Sequence, residues 1–308
     1  MKKSVALLKT ITNLALILTL VMVFTGINNT TYAKETNAAA DINYDTSITY
    51  NLETKEIEYG KDQHKMLPEQ ETAGLRLNEI DLVSPNAIIG TDDRYKVLST
   101  TASPYRNVCR VTSYFPDGAS STGSGVLTYF NVMLTAGHIA YSHDHGGWAT
   151  SMIITPGQNG TDTPLGSAVA TNMTCSNAWV NNDDPDWDWS IVDLSKSFDT
   201  WQSFGYYNDY NSMIGQSVQT IGYPSKDGQS TYMYTDTNVV IAAGERWCNV
   251  NCDVDHGDSG GPLIDVNRER LVGIITAAVT RPGETTPYTN RCIRINEDLG
   301  NRLLSHAH

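Results

Sequence analysis

One serine in this chain is flanked by glycines, in the segment Gly257-Asp258-Ser259-Gly260-Gly261-Pro262. A nucleophilic serine needs an exposed hydroxyl and neighbouring backbone N–H groups that no side chain blocks, and glycine allows the tight turn that supplies both. The N–H groups of Gly257 and Ser259 are then available as an oxyanion hole, where losing one donor typically costs roughly a hundredfold or more in rate. The hydroxyl also needs a base. Leu134-Thr135-Ala136-Gly137-His138 ends an apolar run in small residues and a histidine, so an imidazole can come close to a hydroxyl. Asp186-Trp187-Asp188-Trp189-Ser190-Ile191-Val192 puts an acid at the entry of a β-branched run, where a carboxylate is kept dry and can fix a histidine tautomer. Taken singly, His138 and Asp188 also read as a strand-end histidine and an acidic loop. With Ser259 they form a set of defined roles. Ser259 Oγ attacks a carbonyl, His138 takes the proton and returns it to the leaving group, and Asp188 orients the imidazole and stabilises its cation. That chemistry calls for no metal and no organic cofactor.

The same glycine pattern opens the strand-to-helix elbow of lipases and esterases. Gly260, Gly261 and Pro262 oppose a helix, and only His306 and His308 follow the serine, at the chain end. The order here is His, Asp, Ser, with gaps of about 50 and then about 70 residues. Other clusters carry less. Asp183, Asp184 and Asp186 crowd together, but their spacing is not that of an EF-hand loop. Cys248 and Cys252 are close enough in sequence to bridge, and with His256 they make a thin zinc alternative. The five cysteines leave at least one unpaired within the chain. His64, His143 and His145 read as solvated loop residues.

These residues need a rigid frame, and the sequence past residue 86 offers one. Short runs rich in Val, Ile, Thr and Tyr recur between Gly, Pro, Asn and Asp clusters: 108–114, 125–129, 132–134, 152–155, 190–194, 217–222, 237–242 and 271–279. Many short strands with frequent turns predict an all-β sandwich or barrel. Helical periodicity is confined to 296–304, with Asn296 as N-cap. Every Trp and Cys lies after residue 86, whereas 34–86 is polar and acidic and cannot bury much apolar surface alone. It reads as a propeptide or, alternatively, a linker. Residues 1–33 read as a signal peptide: Lys2, Lys3 and Lys9 precede the apolar run 14–24, and Thr31 and Ala33 supply the small residues of a cleavage site. Export to the cell exterior, with no membrane association after cleavage, follows as an expectation. A net charge of −13 opposes binding to nucleic acid or anionic membranes.

The chain resembles the bacterial glutamyl endopeptidases of the Bacillus type, within the chymotrypsin-like serine peptidases. The likeness covers residues 87–308 and rests on the three segments above together with Ile89-Gly90-Thr91-Asp92-Asp93-Arg94, Ser103-Pro104-Tyr105-Arg106, Pro156-Gly157-Gln158-Asn159-Gly160-Thr161, Phe204-Gly205-Tyr206 and Gly222-Tyr223-Pro224. The resemblance implies a signal peptide, a propeptide, two six-stranded antiparallel β-barrels with the site between them, a C-terminal helix and maturation near Asn86–Ala87; protein or peptide substrates, the chain's own propeptide as a partner and a monomer are expected with it, and export makes disulfide bonding an expectation too. It implies an S1 pocket formed by Asp253, Val254, His256, Ile275, Thr276, Ala277 and Ala278. Three residues depart from the family. Ile275 stands where a histidine meets the substrate's glutamate, Val254 replaces a hydroxyl residue, and Asp258 replaces an amide. Preference for Glu or Asp is therefore accompanied by an alternative, a trypsin-like preference for Arg or Lys through Asp253, and by a second one, a binding module that has lost catalysis. In trypsin-like enzymes the acid at Asp258's place pairs with a freed N-terminal amine, which predicts that an amine at Ala87 or Ile88 reaches it.

Overall fold

The computed structural model describes residues 46–60, 81–83, 87–226, 228 and 230–307. The signal-peptide reading of 1–33 lies outside the described residues, as does much of 34–86. Four strands come first: β1 (Ser47–Asn51), β2 (Ile57–Tyr59), β3 (Asp81–Val83) and β4 (Tyr95–Lys96). Next come β5 (Val108–Tyr114), β6 (Ser120–Tyr129), β7 (Val132–Thr135), the hairpin β8 (Tyr141–Ser142) and β9 (Gly147–Trp148), β10 (Ser151–Pro156), β11 (Ala168–Ser176) and β12 (Ser190–Leu194). The last group is β13 (Ser217–Gly222), β14 (Tyr234–Ala243), β15 (Trp247–Val250), β16 (Pro262–Asp265), β17 (Arg270–Thr280) and β18 (Thr289–Arg294). Helices are few among the described residues: α1 (Gly137–Ala140), α2 (Asn177–Asn182) and α3 (Glu297–Ser305), with short 3-10 turns.

Two closed antiparallel barrels result. The first runs β10-β5-β6-β7-β12-β11 and closes through β10 and β11. The second runs β13-β16-β17-β18-β15-β14 and closes through β13 and β14. Closure removes the unpaired edges that an open sheet of this size would present. One apolar cluster joins both barrels. It takes Val108, Val126, Leu134 and Ile191 from the first, Ile221, Ile264, Ile274 and Ile293 from the second, and Leu299 and Leu303 from α3. Burying each such side chain contributes roughly 1.5–3 kcal/mol, which is what fixes the strand ends carrying the site. At the start of α3, Asn296 accepts the Leu299 N–H at 3.0 Å, as its N-cap position predicts.

One expectation differs from what is found, and the early stretch takes a setting in keeping with its composition. The stretch expected to lack a core of its own adds strands to both barrels where it is described. β1 pairs with β11 and β2, and β3 pairs with β17, with Ile48 buried. The main domain supplies the apolar surface that this stretch lacks. The expected disulfide is the one not met, since all five cysteines are free and buried. Cys248 on β15 lies opposite Cys292 on β18, not Cys252, whose thiol donates to the Val218 carbonyl at 3.7 Å.

Candidate active site

Strand register brings His138 and Asp188 together. β7 pairs with β12 so that Thr135 lies opposite Ser190. The residues just past one strand end and just before the other therefore emerge at the same end of the first barrel. His138 sits on the single turn α1, which follows β7 directly. Asp188, 5 % exposed, ends the short 3-10 turn before β12. Its two oxygens are both used on the histidine. Oδ1 accepts the His138 backbone N–H at 2.8 Å, and Oδ2 accepts the Nδ1–H of the ring at 2.7 Å. Donation by Nδ1 leaves Nε2 as the acceptor of a proton. Burial pushes the His138 imidazole down, but the charge and hydrogen bond of Asp188 outweigh it, so the ring titrates above its ordinary value.

Ser259 lies on the turn that leads into β16 of the second barrel, and this turn packs on the first barrel. The Ser259 carbonyl accepts the Ser124 N–H at 2.7 Å, and the Ser124 hydroxyl donates to the Gly257 carbonyl at 2.7 Å, so β6 grips the turn from two sides. Gly260, at φ +80°, packs so close to the end of β7 that a Cβ there would lie 2.1 Å from Thr135 Oγ1 and 2.9 Å from the Ala136 N. The turn thus presses against the residues that lead into His138. Gly257 has φ +96°, and a Cβ on it would lie 2.3 Å from the Tyr223 carbonyl oxygen, so only glycine fits. The other N–H groups of this loop are committed: Asp258 to the Asp255 carbonyl, Gly260 to Ile275 and Gly261 to Asp258. Among the described residues, the N–H groups of Gly257 and Ser259 are given to no protein acceptor. These are the two groups an oxyanion hole requires.

The residues expected to line S1 are less alike in their surroundings. Val254 and Ile275 are fully buried in the apolar cluster of the second barrel, with Cys252 and Cys292. Ala278 and Thr276 are buried as well, whereas Ala277 is partly exposed. The His256 side chain is 57 % exposed, beside Asp255. Asp253 calls for a correction. Its Oδ1 accepts the Ile89 N–H at 2.6 Å and its Oδ2 the Asp93 N–H at 3.3 Å, and the residue is 3 % exposed. Backbone donors satisfy this carboxylate, so it anchors the segment 87–94 and does not stand open to a substrate cation. The acidic run before Asp188 is likewise used locally: Asp184 accepts the Asp186 N–H at 3.0 Å, and Asp186 pairs with buried Arg291.

Two joined antiparallel barrels, with a His–Asp pair at one strand end and a glycine-bounded serine turn packed on the end of β7, are the architecture of the chymotrypsin-fold serine peptidases. The trypsin-like peptidase domain matches residues 123–274, a range that holds His138, Asp188 and Ser259. An extracellular metalloprotease of Bacillus subtilis is 32 % identical over 187 residues, which span 60 % of this chain and 59 % of that protein. A glutamyl endopeptidase of Bacillus licheniformis is 28 % identical over 246 residues, 76 % of this chain and 75 % of the relative. The fold is also that of a Glu endopeptidase solved in complex with MPD, at 21 % identity and a TM-score of 0.62, covering 71 % of this chain and 98 % of that one. A thermostable serine protease, AL20, matches with a TM-score of 0.56 at 15 % identity, over 66 % and 97 % of the two chains. The chain has the chymotrypsin-like fold, carries a match to the trypsin-like peptidase domain and is similar to a bacterial glutamyl endopeptidase.

The name of the B. subtilis relative speaks of a metal. Among the described residues, Asp93, Asp236 and Asp253 bring carboxylate oxygens within 4.8 Å of one another. This set holds no imidazole or thiolate, the usual donors of hydrolytic zinc. Asp236 and Asp253 moreover give their oxygens to the backbone N–H groups of Asp253, Thr237, Ile89 and Asp93. These residues do not fit a catalytic metal.

Proposed function

We propose that this chain is an exported serine endopeptidase that cuts proteins and peptides through an acyl-enzyme, with His138, Asp188 and Ser259 as its triad. The observation that carries this reading is the double grip of Asp188 on His138, 2.8 Å to the backbone N–H and 2.7 Å to Nδ1, beside a serine turn with two uncommitted N–H groups. Ser259 Oγ attacks the peptide carbonyl, and its proton passes to His138 Nε2. The carbonyl oxygen gains negative charge and is received by the N–H groups of Gly257 and Ser259. His138 then protonates the leaving amine, and water repeats the sequence on the acyl-enzyme with the roles reversed. Asp188 keeps its charge throughout, because what it stabilises is the imidazolium.

Residues 1–33 serve as the export signal and 34–86 as a propeptide whose described strands lie on both barrels, leaving 87–308 as the mature domain. For the residue before the cut bond, Glu or Asp is the preferred choice. The carboxylate of Asp253, which a lysine or arginine side chain would need, is occupied by backbone donors, and exposed His256 is able to meet an acid. A fluorophosphonate probe tests the nucleophile: the mature enzyme is labelled and Ser259→Ala is not. Equal labelling of both overturns the assignment. A peptide-library profile tests the preference, and dominant cleavage after Lys or Arg would reverse it.

A further inference from the structure

The carboxylate next to the nucleophile has no part in the triad, yet it is buried. Asp258 is 4 % exposed, and its Oδ2 accepts the Asp255 N–H at 2.9 Å. The cation facing it is Arg94, whose Nη1 lies 3.7 Å from Asp258 Oδ2. The Arg94 side chain is only 3 % exposed, and Nη1 has no hydrogen-bond partner among the described residues. Two further carboxylates hold the rest of the guanidinium. Asp92 accepts from Nε at 3.0 Å and from Nη2 at 3.1 Å, and Asp255 lies 3.8 Å from Nη2. Lys226 meets Asp92 at 2.8 Å. Burial pushes the Asp258 carboxyl up to about 7; the Asp255 N–H and the Arg94 charge pull it down, and the charges of Asp255 and Asp92 push it up. A buried carboxylate with no cation would be neutral or would move the loop.

The amine expected to reach Asp258 after a cut near Asn86–Ala87 starts from another place. In the uncut chain the Ala87 carbonyl accepts from the Val254 N–H at 3.2 Å and the Asn290 amide at 2.8 Å, and the Ile89 N–H is held by Asp253. Asp253 therefore ties the strap 87–94 to the second barrel, and the strap delivers Arg94. Gly222 shows how closely Asp258 is packed, since a Cβ on it would lie 2.3 Å from Asp258 Oδ1.

We infer that Arg94 is a positioning residue, the internal cation that holds Asp258 and, through it, the Gly257–Ser259 turn in its oxyanion-binding shape without a freed N-terminal amine. The inference rests on Ser259 being the nucleophile. Its test compares the wild type with Arg94→Lys, Arg94→Met and the double variant Arg94→Met/Asp258→Asn in peptide hydrolysis and fluorophosphonate labelling. Arg94→Met lowers kcat by about 100-fold, the scale of one lost oxyanion donor, with KM changed by no more than about twofold. It also moves the acid limb of kcat/KM to higher pH, because Asp258, then facing only Asp255 and Asp92, keeps its proton longer. Arg94→Lys recovers most of the rate. The double variant stays within about threefold of Arg94→Met, because without Arg94 the protonated carboxyl and the amide are both neutral. A kcat of Arg94→Met within about twofold of wild type, or a double variant whose loss is the product of the two single losses, overturns the inference. Where near-UV circular dichroism shows Arg94→Met unfolded, Asp258→Asn carries the test: its kcat falls with KM retained, and a wild-type kcat overturns the proposal. A wild type that takes no label overturns the nucleophile assignment and this inference together, whereas a labelled wild type with an unaffected Arg94→Met overturns this one alone.

Discussion

Replacing Asp188 with asparagine keeps the shape of the side chain and changes what one atom can do. At present Oδ1 accepts the His138 backbone N–H at 2.8 Å and Oδ2 accepts the ring Nδ1–H at 2.7 Å. An asparagine oxygen can keep the backbone bond, so the turn α1 stays in place. Its NH2 group then faces Nδ1 and can only donate, which forces the ring proton onto Nε2. That tautomer cannot accept the Ser259 proton. The expected loss in kcat is about 10⁴-fold, or about 5 kcal/mol of transition-state stabilisation. A second effect has the opposite appearance to simple damage. Burial alone pushes His138 down, and Asp188 is what lifts it above its ordinary value. Without the carboxylate, the acid limb of kcat/KM moves to lower pH. The assay is kcat/KM on a fluorogenic peptide from pH 4 to 10, with near-UV circular dichroism to verify the fold. A folded variant that loses less than about tenfold, or whose acid limb shifts upward, would refute the roles given to the two oxygens.

Gly257→Ala places a methyl 2.3 Å from the Tyr223 carbonyl at φ +96°; the expected result is a drop of at least about 2 kcal/mol in stability by urea unfolding and a kcat loss of about 100-fold. Asn296→Ala removes the cap that holds the Leu299 N–H and lowers stability by about 1 kcal/mol, with kcat/KM unchanged, because Leu299 and Leu303 keep α3 packed in the core. All five cysteines are buried and free, so a thiol reagent finds none in the native protein and five after denaturation; a count of three or one would reveal bridges.

How much the sequence disclosed depended on the kind of signal each element carries. Strands β5, β12 and β13 begin and end where their Val, Ile and Thr runs do. Strand β18 was not legible. It reads Thr-Asn-Arg-Cys-Ile-Arg and is buried throughout, so charge sits inside the barrel and period-two alternation of hydrophobicity is absent. Its Arg294 is held by the carbonyls of Glu245 and Tyr207, partners that only the closed barrel brings together. Strand β11, Ala-Val-Ala-Thr-Asn-Met-Thr-Cys-Ser, mixes small and polar residues and shows little hydrophobic contrast. At the site, the residue types around His138, Asp188 and Ser259 suffice to suggest the chemistry, because glycines and small residues are required locally. The use of Asp253 could not be read the same way. Its partners, Ile89 and Asp93, lie some 160 residues away in the chain and are backbone groups that leave no mark in side-chain identity. Arg94 had one usable clue, a lone arginine directly after two aspartates in a segment shared with the resembling family.

The early strands have a consequence that concerns concentration. β1 lies on β11 of the first barrel and β3 on β17 of the second, so a single stretch of chain is fastened to both. While that stretch is covalently joined to the rest, its strands face their partners at an effective concentration on the order of millimolar, and diluting the protein does nothing to remove them. On the reading proposed above, a cut after Asn86 turns that association into an encounter between two molecules. Dilution then releases the fragment, and crowding the products together restores it. The rows of N–H and C=O groups it leaves on β11 and β17 become open edges for an extended peptide. If that stretch is the propeptide proposed above, the volume into which the enzyme is discharged decides how long the fragment stays bound.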